Sequence, residues 1–87
     1  MYYVYFLKSK KKAKWSYVGL TNNINRRLQE HKAGSSSYTK FYLPIDLVSY
    51  IAINDFEKAK NLELYFKTGS GIAFMRKRIL NYGALAK

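Results

Sequence analysis

Tyr17-Val18-Gly19-Leu20-Thr21-Asn22-Asn23-Ile24-Asn25-Arg26-Arg27-Leu28 is the stretch on which the fold turns. Its first part, together with Trp15 and Ser16, is a short aromatic and β-branched run that reads as a strand over residues 15–20. Thr21-Asn22-Asn23 then marks a helix start, because an Asn side chain accepts hydrogen bonds from the free N–H groups of a first helical turn. The helix is expected over residues 24–32, stopping near Gly34. On it, Ile24 and Leu28 must face the core. Arg27 and His31 flank that inward stripe, whereas Arg26 and Glu30 are expected to point elsewhere.

Upstream, residues 2–8 alternate and are rich in Tyr, Val and Phe, so they form a strand. The basic run Lys10-Lys11-Lys12-Ala13-Lys14 becomes the tip of a hairpin, either solvated or touching a phosphate backbone. Downstream, Gly34-Ser35-Ser36-Ser37 is a loop, and residues 45–53 after Pro44 form a third strand. Asn54-Asp55-Phe56-Glu57 reads as a cap with Glu57 at the third helical position. The second helix is expected to reach about Lys67, with Phe56, Ala59, Leu62 and Phe66 as its apolar stripe and Glu63 on the exposed edge of it. Gly69-Ser70-Gly71 breaks it, and a third helix follows over residues 72–82, with Gly83 past its end. The order strand, strand, helix, strand, helix, helix predicts one α+β domain over residues 1–87: a small, three-stranded, mostly antiparallel sheet flanked by helices.

Charge narrows the partners. Sixteen Lys and Arg stand against five Asp and Glu among 87 residues, a net charge of +11. That balance favours a polyanion, and nucleic acid before a membrane surface, since no long helix shows a clean basic face. The aromatic share of 17% suits base stacking as well as core building. With no cysteine, neither a disulfide framework nor a thiolate metal site is available, and a single histidine does not make a zinc site. No apolar run is long enough to span a bilayer and no signal peptide opens the chain, so a cytoplasmic location is expected.

Two polar residues interrupt the apolar stripes. Arg27 either snorkels past the core edge or lines a cleft where its planar fork binds phosphate. Glu63 either pairs with Lys67 across one helical turn, worth only about 0.2–0.5 kcal/mol, or belongs to a cleft. The acids are Glu30, Asp46, Asp55, Glu57 and Glu63. They can hardly assemble a two-metal site, but one carboxylate with waters and a substrate phosphate can complete the octahedron of Mg²⁺.

These residues resemble a known family. Tyr3-Val4-Tyr5 and Tyr17-Val18-Gly19 resemble the two halves of the GIY-YIG nuclease signature, with Tyr3 standing where the signature has its first glycine. Gly19-Leu20-Thr21-Asn22-Asn23 through Arg26-Arg27-Leu28 is similar to the family's following run. His31-Lys32-Ala33-Gly34 and Tyr38-Thr39-Lys40 resemble its helix-to-loop passage, and Ala59 through Glu63 to Lys67 its Ala-x₃-Glu-x₃-Lys helix. The likeness covers roughly residues 2–80. It is nearest to small stand-alone bacterial members and more distant from the catalytic domain of the bacterial excinuclease.

The resemblance implies a divalent-metal-dependent endonuclease acting on DNA, more than RNA, in repair or recombination. It implies Glu63 as the ligand of one Mg²⁺ or Mn²⁺, Arg27 as the stabiliser of phosphoryl charge, and His31 as a partner of a tyrosine or the phosphate. Tyr5 or Tyr17 would orient or deprotonate water. A free tyrosine titrates near pH 10, so a base role needs neighbouring cations, and the cation surplus favours that direction. Gly19, Lys40 and Lys67 are the expected nucleic-acid contacts, with Gly19 letting the substrate backbone approach. Tyr5, Tyr17, Arg27 and Glu63 are expected to converge on one face. The alternatives are an inactive nucleic-acid-binding module of the same fold and a basic domain that docks on a protein partner. A homodimer is left open.

Overall fold

Four consecutive buried residues, Val4, Tyr5, Phe6 and Leu7, mark strand β1 (Tyr2–Ser9) as the centre of the sheet. The computed structural model describes residues 1–80. In it, β1 pairs antiparallel with β2 (Ser16–Thr21) on one side and β3 (Ile45–Ile53) on the other, giving the order β2-β1-β3. Helix α1 (Ile24–Lys32) follows β2, and helices α2 (Phe56–Tyr65) and α3 (Gly69–Arg78) follow β3. The β-β-α-β-α-α order and the α+β architecture are those expected from the sequence.

Alternation along β1 serves two covered faces rather than one. Val4 and Phe6 join Val18, Ala59, Phe66, Met75 and Leu80 in an apolar core under α2 and α3. Tyr5 and Leu7 face the other way, with Ile45, against Ile24 and Leu28 of α1. The register slips by one residue between Phe6 and Leu7 against β3, a bulge that absorbs an extra residue there.

The helix ends follow local chemistry. Asn23 caps α1 by accepting from the Arg26 N–H. At the other end, Gly34 adopts a φ of 77°, and the Gly34 and Ser35 N–H groups donate back to the carbonyls of His31 and Glu30. A left-handed residue is needed to close that turn, which is why the helix stops there.

Three local expectations are corrected. Asp55, not Asn54, caps α2, accepting from the Glu57 and Lys58 N–H groups, so Glu57 sits at the second helical position. Phe56 lies off the core stripe, half exposed and edge-on to Tyr2. Gly69-Ser70-Gly71 does not separate the two helices but forms the first turn of α3, because Thr68 caps it by accepting from the Gly71 N–H. A Cβ at Gly71 would lie 1.9 Å from the Tyr65 carbonyl oxygen, so glycine lets α3 start directly against the end of α2. The third helix ends at Arg78 with Ile79 as its C-terminal cap, short of the expected residue 82, and the expected stop at Gly83 lies outside the described residues. Among the described residues no helix is long and apolar enough to cross a membrane.

Candidate active site

The β1–β2 register sets Tyr5 opposite Gly19 and Leu7 opposite Tyr17, so both tyrosines point to the α1 face. The space left by Gly19 holds the Tyr5 ring. A Cβ there would lie 2.3 Å from the Tyr5 Cζ and Oη, so the glycine accommodates a protein side chain rather than leaving room for substrate. The tip of Tyr5 therefore rests over β2, an edge strand.

Helix α1 brings its polar residues onto that tip. With Ile24 and Leu28 packed against the sheet, Arg27 and His31 turn toward Tyr5. The Tyr5 hydroxyl lies 2.8 Å from His31 Nε2, and His31 Nδ1 lies 2.7 Å from the Thr39 hydroxyl. Arg27 Nε donates to the Tyr5 oxygen at 3.4 Å. The arrangement that uses each donor once runs from Arg27 into the Tyr5 oxygen, from the Tyr5 O–H to Nε2, and from Nδ1–H to Thr39. Tyr5, His31 and Thr39 are at most 1% exposed, so this chain of bonds is fully withdrawn from water.

Burial sets the protonation states. It pushes the Tyr5 hydroxyl up to about 12, although the hydrogen bond from Arg27 opposes it. It also pushes His31 down to about 4, with help from the Arg27 charge. The sequence suggested that surplus cations would ease a tyrosine proton off; at Tyr5 desolvation outweighs them. Tyr5 stays protonated and holds its neighbours in place.

Tyr17 differs. It is half-buried, with its ring 6.2 Å from that of Tyr5, 5.4 Å from His31 and 6.2 Å from the exposed Tyr38. Among the described residues none hydrogen-bonds its hydroxyl. Trp15 stacks beside it at 6.3 Å and in turn against Tyr42 at 4.3 Å.

Arg27 is not free, and Glu30 does not point elsewhere. Arg27 Nη1 donates to Glu30 Oε1 at 2.9 Å, one turn along the helix. That bond is the main reason the Glu30 carboxyl falls below its usual range and the guanidinium is held still more firmly protonated.

Glu63 departs furthest from expectation. It is 6% exposed rather than on an open helix edge. Its two oxygens accept from Lys60 and Lys67, each at 3.0 Å. Burial alone would raise its carboxyl, but the two ammonium groups together hold it below the usual carboxylate range. Helix α2 packs on the Val4 and Phe6 face, so Glu63 and Arg27 arise from opposite sides of the sheet, and the single-face convergence is not found. What connects them is the β2 edge: Lys67, bonded to Glu63, shares with Tyr17 the wall of a cleft of about 360 Å³. Lys40 is exposed beside Thr39, with its ammonium 5.1 Å from the centre of the Phe41 ring.

Thr39 and Glu30 were missed as site residues. Thr39 sits in a loop eight positions after His31, where no periodicity points to it; Glu30 stands three residues after Arg27, a spacing that does signal a pair on a helix.

A divalent ion suits this donor set in one respect. Among the described residues no three His, Cys, Asp or Glu side chains cluster, so only a cation that keeps most of its waters fits, and Glu63 offers one hard oxygen ligand. The two lysines that hold it have half-exposed side chains able to swing away.

A family model described as the GIY-YIG catalytic domain matches residues 1–73. Proteins named UPF0213 from Streptococcus pyogenes, among them those of serotype M5 (strain Manfredo) and serotype M1, are 36% identical over 52 residues, covering 59% of this chain. That match spans 56% of their length, little more than half of the relatives concerned. The solution structure of the UPF0213 protein BH0048 from Bacillus halodurans superposes with a TM-score of 0.55 at 28% identity, covering 94% of this chain and 90% of that one.

Proposed function

The chain belongs to the GIY-YIG catalytic-domain family of nucleases, and from that premise we propose that it hydrolyses phosphodiester bonds in nucleic acid, DNA before RNA, with the aid of one Mg²⁺ or Mn²⁺. The observation that carries this reading is the buried Tyr5–His31–Thr39 chain, which holds Arg27 and lies against the ring of Tyr17, whose hydroxyl bonds to none of the described residues. Such preorganisation is what stabilisation of a developing phosphoryl charge requires, since donors held in place need no rearrangement during reaction.

Arg27 exchanges Glu30 for the substrate phosphate and presents its planar fork to the phosphoryl oxygens. Tyr17 orients the attacking water through its hydroxyl. Tyr5 and His31 are positioning residues that keep Arg27 and the Tyr17 ring in register. Glu63 would hold the cation once Lys60 and Lys67 release it, and the cation would supply Lewis-acid neutralisation of phosphate charge. Lys40 and Lys67 contact the strand, whose approach the +11 charge favours. Gly19 acts indirectly, through the place it gives Tyr5. A cytoplasmic setting in DNA repair or recombination is part of the same reading.

One observation favours a second reading, a nucleic-acid-binding module without turnover: both oxygens of Glu63 and one arm of Arg27 are already occupied within the protein. Incubation with single-stranded, duplex, flapped and branched DNA in Mg²⁺, Mn²⁺ or chelator separates the two. Metal-dependent cleavage that vanishes in Glu63→Gln, with DNA binding retained or tightened, is the expected result. Binding without cleavage in every condition supports the second reading, and full activity in Glu63→Gln removes Glu63 from the site.

A further inference from the structure

Two rings stand in the open next to the cluster of Tyr5, Arg27 and His31. Tyr38 is 70% exposed and Phe41 68%, more than any other large apolar side chain among the described residues. Both belong to the segment that supplies Thr39, and that segment is fastened from beneath. Thr39 is fully buried and bonded to His31, and the Ser36 carbonyl accepts from the Thr39 and Lys40 N–H groups. The Tyr42 N–H donates to the Thr39 carbonyl, the Ser9 hydroxyl donates to the Tyr42 carbonyl, and the Tyr42 ring stacks on Trp15. Along residues 38–42, anchored side chains therefore alternate with open rings. Apolar surface held out in this way costs free energy in water unless something covers it.

The surroundings indicate what covers it. The residues from His31 to Ile45 include Lys32 and Lys40 and no acid. The Lys40 ammonium lies 5.1 Å from the centre of the Phe41 ring. A second copy of a chain of net charge +11 would set cation against cation here, whereas a polyanion is attracted. The Tyr38 ring is 6.2 Å from that of Tyr17, so a ligand lying along Tyr38 also meets the reacting cluster. An apolar ring with a cation at its side matches a step of a duplex: the ring enters between two base pairs and the ammonium meets a flanking phosphate. Such a ring must stand on a rigid base, because a loosely held one folds back instead of parting the stack. The bonds of Thr39 and the stacking of Tyr42 supply that base. We propose that Phe41 is a wedge that enters a base step of duplex nucleic acid and kinks it, with Tyr38 lying along the groove between the wedge and Tyr17. Thr39 ties this segment to His31, so the kinked step is held in fixed relation to Arg27. The inference rests on the nucleic-acid reading of the site for its ligand, and it needs no turnover.

The test uses the full chain at fixed salt, in chelator, with a blunt duplex of about two helical turns that carries a donor and an acceptor dye at its two ends. Binding should draw the ends together through a kink of about 20–90°. Phe41→Ala should abolish that approach and weaken binding about tenfold, the loss expected of an aromatic anchor. Phe41→Leu keeps an apolar wedge and should keep most of both. Tyr38→Ala should weaken binding by a smaller factor. Both rings are exposed, so the urea midpoint should stay where it is in every variant. Binding without a kink, or a kink that survives in Phe41→Ala, overturns the wedge. So does a variant that changes the oligomeric state and leaves duplex binding alone, which would assign the rings to a second copy. Restoring Mg²⁺ separates this from the phosphodiesterase reading. Cleavage of the substrate panel without kinking removes the wedge and leaves that reading standing. Kinking without cleavage in any metal keeps the wedge and removes turnover.

Discussion

The two faces of the central strand share a backbone and little else. Toward α2 and α3, Val4 and Phe6 meet only apolar partners, and Phe6 packs edge-on to Phe66 at 4.9 Å. Toward α1, Tyr5 is equally buried but carries a hydroxyl into a hydrogen-bonded chain with His31 and Thr39. Both faces bury apolar side chains, and around Val4 and Phe6 the packing is apolar alone. The α1 face also accepts the cost of buried polar groups, which persist in a core only when each is partnered. That contrast explains how a domain of this size can stay folded around a rigid polar site: the strand keeps its buried even positions apolar and assigns positioning to odd ones.

The contrast breaks most visibly at Phe66. Phe66→Ala empties a buried ring from the apolar face and should cost about 3–5 kcal/mol, a large share of the stability of a small domain. Chemical denaturation will show it as a large drop in the midpoint; a loss under about 1 kcal/mol would mean the apolar face contributes little to stability.

The polar face should reveal itself through pH. His31 stays neutral in the fold down to about 4, whereas in the unfolded chain it takes a proton near its ordinary 6.5. Between those values the unfolded state binds more protons, so stability falls as the pH drops from 6.5 toward 4 and is unaffected by His31 above that window. The full effect is about 3 kcal/mol. Glu30 and Glu63, with their carboxyls lowered, lose their contribution only below the ordinary carboxylate range, so the upper part of the window isolates the histidine. Urea unfolding at pH 7 and pH 5 should show this loss in the native chain and not in His31→Gln; an equal loss in both would place its origin elsewhere.

A smaller effect sharpens the comparison at Gly19. An added methyl meets the Tyr5 ring, so Gly19→Ala should cost about 1–3 kcal/mol and displace the hydroxyl that Arg27 and His31 share. Cleavage should fall with it. A variant as stable and active as the native chain would mean that the ring has room to shift.

Much of this organisation was legible in the sequence, for identifiable reasons. The run from Tyr17 to Leu28 contains a strand, a cap and a helix in one reading, and its spacing brings Arg27 and His31 to the same side. The depth of Glu63 was not legible, because helical periodicity gives a direction but not what lies over it, and the flanking lysines suggested an open surface. The Gly69-Ser70-Gly71 run misleads because glycines commonly end helices, yet here Thr68 supplies a cap and Gly71 a close approach to Tyr65. The partnership of Thr39 with His31 depends on a loop path that no local pattern specifies.

The most direct test of the polar face as a phosphodiesterase site is single-turnover cleavage by Arg27→Ala, measured with Mg²⁺ beside the native chain and with folding checked on the same preparation. Removing one preorganised charge-stabilising donor should lower the rate roughly 100- to 1,000-fold, while stability changes by about 1 kcal/mol or less, because the Arg27 side chain is partly exposed and fills no core space. Cleavage at the native rate by folded Arg27→Ala would contradict the account, because the buried chain from Thr39 through His31 and Tyr5 would then position nothing that the reaction uses.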